Sequence, residues 1–295
     1  QKNKIVSLYY ELRILLYVGI LLFTGGVGYF AYQNIGEIGH LITMILIGVA
    51  IGIGFYFIKK FSKQYSNLKV VIQQPYFDYV LILVASLIIA LFTYIQVYFN
   101  LVEILINWST FISSGILLFM CYRYDNRALL SMGITALSAA VGITISPVDW
   151  AKGLWVYSDN LYITSIFLGA FLTLVGQISY RKGIKKHFKF TYQNFGLILY
   201  FAGVTYAIFS STNNLFYSSL LLISSGALLF YTWKKREFLF FLYSSISGYI
   251  AITYLLFSLI DYSDGAYIIM TYYFPFSCIS YIIFLLSNKS HFTNV

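Results

Sequence analysis

Glu103 and Asn107 stand four residues apart, so on a helix they would share one face, at the mouth of an apolar run. A second polar group lies in SPVDWAKGLWVYSDN, where Asp149, Trp150 and Trp155 fall close to Tyr157 and Asp159. Trp and Tyr in such a place usually form an interfacial belt at a membrane surface. The sharper alternative is a cap over a substrate entrance. Inside the apolar runs the polar side chains are neutral: Gln96, the pairs Ser113–Ser114 and Ser224–Ser225, Thr253 and Thr271. Hydroxyls of this kind mostly bond the preceding turn of their own helix, and lining a cavity is their second reading. Pro275, within YYFPFS, predicts a kink and a freed carbonyl.

The chemistry these residues exclude is more definite. No Asp, Glu, Lys or Arg falls well inside an apolar run, which counts against an ion- or proton-driven pump. No nucleophile has a base beside it, and no paired carboxylates or metal ligands gather at one depth, His40 being on one side and His187 and His291 on the other. Cys121 and Cys278 stand alone and read as small buried thiols. No phosphate-binding glycine loop occurs. Gly48 and Gly52 form a GxxxG that lets a neighbouring backbone approach, while Gly25-Gly26 reads as packing or as a break in the first helix. Neither enzymatic activity nor a cofactor or metal is expected.

The elements that would position these residues follow from composition. The 295 residues are 60% hydrophobic and only 10% charged, with a mean hydropathy of +0.78. Apolar runs of about 18 residues or more recur along the chain, the length that crosses a bilayer as a helix. Ten helices are expected near 14–32, 38–58, 79–99, 104–122, 128–146, 161–180, 191–210, 215–232, 238–260 and 266–287. The first run is too long for a signal peptide and has no small-residue cleavage pattern after it. Alternate connections then collect 18 of the 19 Lys and Arg, with Lys152 as the exception, and six of the ten acids fall opposite. By the positive-inside rule both termini are cytoplasmic. The fold expected is an all-α polytopic transmembrane bundle: a cytoplasmic segment at 1–13, a membrane domain at 14–287 and a cytoplasmic tail at 288–295. YRKGIKKHFKF, 180–190, reads first as a topological anchor and second as a contact for anionic headgroups. Nucleic acid is not expected, because every cytoplasmic loop shares the basic bias.

Two further patterns stand out. ISSGILLF at 112–119 returns as ISSGALLF at 223–230, 111 residues later, and LIL occurs at 81–83 and 197–199. The echo reads either as a parallel duplication of helices 3–5 and 7–9 or as chance in a simple alphabet; parallel repeats occur in transporters. Helix 5, LLSMGITALSAAVGI, carries small residues on nearly every turn, so it is expected at the centre of the bundle and as the wall of any cavity.

The stretch LRILLYVGILLFTGGVGYFAYQNIGEI, with Arg13, Gly19, Gly25, Gly26, Phe30, Ala31 and Asn34, resembles the start of the membrane region in a family of bacterial membrane proteins classed under a domain of unknown function. YRYDNRALLSMGITALSAAVGI, 122–143, resembles that family's arginine-flanked, small-residue helix. The resemblance implies a bacterial inner-membrane location and assigns no site residue. The drug/metabolite transporters have similar length and ten helices, but their inverted symmetry differs from the parallel echo here. Two functions are therefore expected in competition. One is a carrier or flippase for a neutral, amphipathic or weakly cationic small molecule or lipid. The other is a non-transporting subunit that scaffolds a protein partner or senses the bilayer.

Overall fold

A computed structural model describes residues 14–26, 29, 37–70, 74, 76–99, 108–142, 161–258 and 264–293. Among these residues there are ten α-helices and no strand. They are α1 (Ile14–Gly26), α2 (Glu37–Phe61), α3 (Phe77–Tyr98), α4 (Trp108–Tyr124), α5 (Arg127–Ala140), α6 (Leu161–Arg181), α7 (Lys189–Ser210), α8 (Asn214–Lys235), α9 (Phe238–Ser258) and α10 (Asp264–Thr293). A 3₁₀ turn at Lys186–Phe188 leads into α7. Helices are what an apolar chain must form where water cannot satisfy its amides. Five of them, α2, α3, α6, α8 and α9, are long and apolar enough to cross a membrane.

Boundaries differ from expectation where local chemistry decides them. Helix α5 stops at Ala140 rather than continuing to 146, because Gly142 takes φ +78° and its amide turns back to Ala139 O at 3.0 Å. Helix α10 continues to Thr293, through most of the stretch expected as a tail, since no Pro or Gly interrupts 285–293. Pro275 lies within this continuous helix.

The chain divides into two compact units, 1–161 with 174–193 and 162–173 with 194–295. In the first, α4 and α5 form the most closely packed pair, followed by α2 with α3. Leu118 lies where a side chain on Gly133 would stand. Leu81, Leu117, Leu129, Leu130 and Ile134 are fully buried. In the second, α8 packs on α9, and Phe201, Val204, Ile208, Leu221 and Ala251 form the core. Helices α9 and α10 of this unit are joined by three hydroxyl pairs at helical spacing: Ser245–Tyr281 at 2.8 Å, Tyr249–Ser277 at 2.8 Å and Thr253–Tyr273 at 3.1 Å.

The close glycine contacts are not those of the GxxxG. Nothing lies within 4 Å of a Cβ placed on Gly48, Gly52, Gly25 or Gly26, and α1 is helical through Gly25-Gly26. Backbones meet instead at Gly169 and Gly196, where a Cβ on Gly169 would be 2.5 Å from Tyr200 N and one on Gly196 would be 2.8 Å from Gly169 O.

The interval of 111 residues reaches well beyond ISSGILLF and ISSGALLF. Asp125 and its counterpart Arg236 both adopt the left-handed conformation, with φ 59° and 57°. One residue on, Asn126 N donates to Cys121 O at 3.3 Å and Glu237 N to Thr232 O at 3.2 Å. Helices α5 and α9 then start at Arg127 and Phe238. Six buried positions of α5 (129, 130, 133, 134, 136 and 140) coincide at the same interval with buried positions of α9. Phe77 and Phe188 are both buried, with amides donating to Gln74 O and Lys185 O. The LIL triplets are 116 apart and do not keep the interval.

Candidate functional site

Between α1, α3, α4 and α5 the first unit leaves a cavity of about 360 Å³, within the range of small-molecule sites. Leu21, Ile89, Phe92 and Met132 supply apolar walls, and the small-residue face of α5 supplies Ser131, Thr135, Ala136 and Ala139. The remaining lining comes from Thr93, Ser109, Thr110 and Ser113. Not one of these side chains carries a charge.

The hydroxyls divide into two sets. Ser113 donates to Thr110 O at 3.0 Å, Ser131 to Arg127 O at 3.2 Å and Thr135 to Ser131 O at 2.9 Å, so their protons are committed to their own helices. Ser109 donates to Gln96 Oε1 across α3 and α4. Thr93 and Thr110 have no hydrogen-bond partner among the described residues, although Thr110 is only 6% exposed.

Two of the lining residues correspond, at the interval of 111, to core residues of the second unit. Phe201, Val204, Ile208, Leu221 and Ala251 pack there as a core. At the same interval the first unit has Ala90, Thr93, Val97, Thr110 and Ala140. Of these five only Thr93 and Thr110 line the cavity, and Thr110 stands where the second unit has the larger Leu221. The second unit has its own groove of about 400 Å³ on another side, between α6, α7 and α8, lined in part by Thr173, Tyr200, Ser224 and Tyr231.

The residues singled out from the sequence are thus distributed. Ser113 lines the cavity, and Ser114 beside it is buried with its hydroxyl on Phe111 O at 2.8 Å. Ser224 lines the groove of the second unit, and Ser225 is buried with its hydroxyl on Leu222 O at 3.0 Å. Pro275 sits on α10 between the hydroxyl pairs of Tyr273 and Ser277 and lines neither space. Glu103, Asn107, Asp149, Trp150 and Trp155 lie outside the described residues.

A charged cluster that sequence reasoning passed over caps the basic ends of these helices in the first unit. Lys185, within the stretch read as a solvated anchor, is fully buried, with Nζ 3.2 Å from Asp125 Oδ1 and 5.3 Å from the centre of the Tyr65 ring. The Asp125 side chain is 1% exposed. It also meets His187 Nε2 at 2.6 Å and accepts from Val70 N at 2.5 Å. Lys185 N donates to Asn67 O at 2.9 Å, and Arg123 to Lys63 O at 3.0 Å. Three connections are thereby tied together: 62–70, the α4–α5 turn and 182–188. Asn126 caps α5, its Oδ1 accepting from Ala128 N and Leu129 N, while its Nδ2 donates to Asp78. Burial pushes His187 below its ordinary value of 6.5, and the Asp125 carboxylate opposes that only in part. The neutral imidazole then donates from Nε2, and Lys185 supplies the positive charge opposite Asp125.

Among the described residues no three His, Cys, Asp or Glu side chains gather as metal ligands. No protein-family model, no curated protein and no solved structure matches the chain, so what it does has to be argued from the cavity and the cap themselves.

Proposed function

We propose that the protein is a multi-pass carrier or flippase of the bacterial inner membrane, with both termini cytoplasmic, for a neutral amphipathic small molecule or lipid. The observation that carries this reading is the uncharged cavity whose lining residues Thr93 and Thr110 stand where the second unit has the core residues Val204 and Leu221. A pore for ions or a proton path would need charge at that depth. The amphipath reading needs what the lining offers, apolar surface and a few neutral hydroxyls. Parallel duplication of helices 3–5 and 7–9 belongs to the same proposal, and the shared turn geometry of Asp125 and Arg236 supports it. The cytoplasmic placement rests on Lys and Arg at the carboxyl ends of α2, α4, α6 and α8.

The test is native mass spectrometry of protein released gently from its own membrane. A stoichiometric uncharged compound is the expected result; release of bulk lipid alone would count against the proposal.

A second reading, a scaffold for a protein partner, has one observation in its favour. Helix α2 exposes Leu41, Ile42, Ile45, Leu46, Val49 and Ile53, and its Gly48 and Gly52 face open space. Lipid covers such a surface equally well, so a protein co-released at fixed stoichiometry is the result that would favour this alternative.

A further inference from the structure

The cavity is asymmetric in what it can offer to a hydrogen-bonding group, and from this we infer that its ligand is an uncharged acyl compound headed by a hydrogen-bond acceptor, an ester or a tertiary amide, held by the hydroxyls of Thr93 and Thr110. The inference rests on the carrier reading and specifies the substrate class for it.

A hydroxyl carries one proton and two lone pairs. In Ser113, Ser131 and Thr135 the proton is already donated to a carbonyl three or four residues earlier. These groups can present only lone pairs. Thr93 and Thr110 make no such bond among the described residues, although helical threonines ordinarily do. Their protons are the donors left over in a lining without charge.

Both donors lie together at one level of the α3–α4 pair. Ser109 bonds Gln96 across the two helices. Thr93 is one turn back along α3 from Gln96, and Thr110 follows Ser109 directly on α4. An acceptor lodged there meets both threonines, while Leu21, Phe92 and Met132 offer apolar surface to a chain. An anion would have no cation to answer it, and a cation no carboxylate. A head group rich in donors would find its partners in the serines, but it would leave both threonine protons unused.

The second unit shows what removal of these donors produces. The counterparts of Thr93 and Thr110 are Val204 and Leu221, both fully buried in a packed core. A valine fits the same space as a threonine without its hydroxyl, so the threonines are not required by shape.

The experiment uses the full chain in lipid nanodiscs with two photoreactive probes, methyl decanoate and decane, each carrying the same diazirine on its chain. Label is mapped on peptides of α3, α4 and α5 as a function of probe concentration. The ester should saturate these peptides at about 2- to 10-fold lower concentration than the alkane, the range that one net hydrogen bond supplies. Thr110→Val should bring the ester to the alkane's level and leave the alkane unchanged. Thr93→Val is the second variant, should the first not fold. Equal saturation of ester and alkane in the wild-type protein would overturn the inference while leaving the cavity as an amphipath site. No saturable label from either probe would overturn the carrier reading itself. Repeating the titration in ether-linked and ester-linked phospholipid nanodiscs identifies the source of the ligand. Weaker ester labelling only in the ester-linked bilayer points to the bilayer's own acyl esters, and equal labelling points to a free ester or amide.

Discussion

The α4–α5 hairpin and the α8–α9 hairpin share a backbone and differ in what that backbone encloses. Both turn through a left-handed non-glycine residue, Asp125 in one and Arg236 in the other, and both start the next helix two residues later. Such a residue costs about 1–2 kcal/mol in either hairpin. Yet the Asp125 carboxylate is buried against Lys185 and His187, whereas Arg236 is exposed. The turn therefore does not need an aspartate; the cap does. The interiors differ in the same way. One holds a core that includes Val204 and Leu221, and the other has Thr93 and Thr110 at the matching positions, lining a cavity. A packed interior is what burial favours, so a hollow kept at matched positions is a candidate for function rather than for stability.

The largest effect is expected at the turns. Asp125→Ala leaves Lys185 buried without its counter-charge, and melting in mild detergent should show a loss of about 3–5 kcal/mol. Arg236→Ala, at the corresponding position, should change stability by less than about 1 kcal/mol. If the two substitutions cost the same, the contrast between the caps is wrong.

Next come the glycines. Gly196→Leu drives a side chain into Gly169 O and Thr173, and overpacking of this kind costs about 1–3 kcal/mol or more. Gly52→Leu meets nothing within 4 Å and should stay within about 0.5 kcal/mol in the same melting assay.

A smaller effect follows from pH. His187 in the folded protein holds its proton less well than in the unfolded chain, so acidification favours the unfolded state. The stabilisation is complete above about 6.5 and declines as pH falls below that value. Arg127 and Lys185 act in the same direction on His187, and Asp125 opposes them. Melting temperatures from pH 8 down to pH 5 (roughly the span across which histidine changes charge) should fall more in the wild-type protein than in His187→Gln. The smallest effects belong to the paired serines: Ser114→Ala and Ser225→Ala should cost similar amounts, each on the order of 1 kcal/mol or less, since each loses one bond to its own helix.

Much of the helical frame was legible in the sequence because apolar run length and polar breaks determine it directly. The hydroxyl-bearing cavity was legible only in outline. Small residues on helix 5 pointed to a wall, but Thr93 and Thr110 look like any helical threonine until their unused protons are seen. Aligning the chain with itself at 111 residues would have set Thr93 against Val204 and Thr110 against Leu221, and that contrast is a sequence signal. The cap was missed for a different reason. Lys185 stands among four other Lys and Arg residues, and nothing in composition distinguishes the one that turns inward to meet a carboxylate 60 positions earlier. The GxxxG misled because small residues permit close approach without requiring it.

The most direct test transplants the filled interior into the hollow one. The variant Thr93→Val/Thr110→Leu carries the residues of the second unit at the two matching positions that line the cavity. It should melt at or above the wild-type temperature, and native mass spectrometry should find it without the uncharged compound that the wild-type protein retains. A folded double variant that keeps the compound at full stoichiometry would contradict the central claim, because the compound would then be held somewhere other than the cavity.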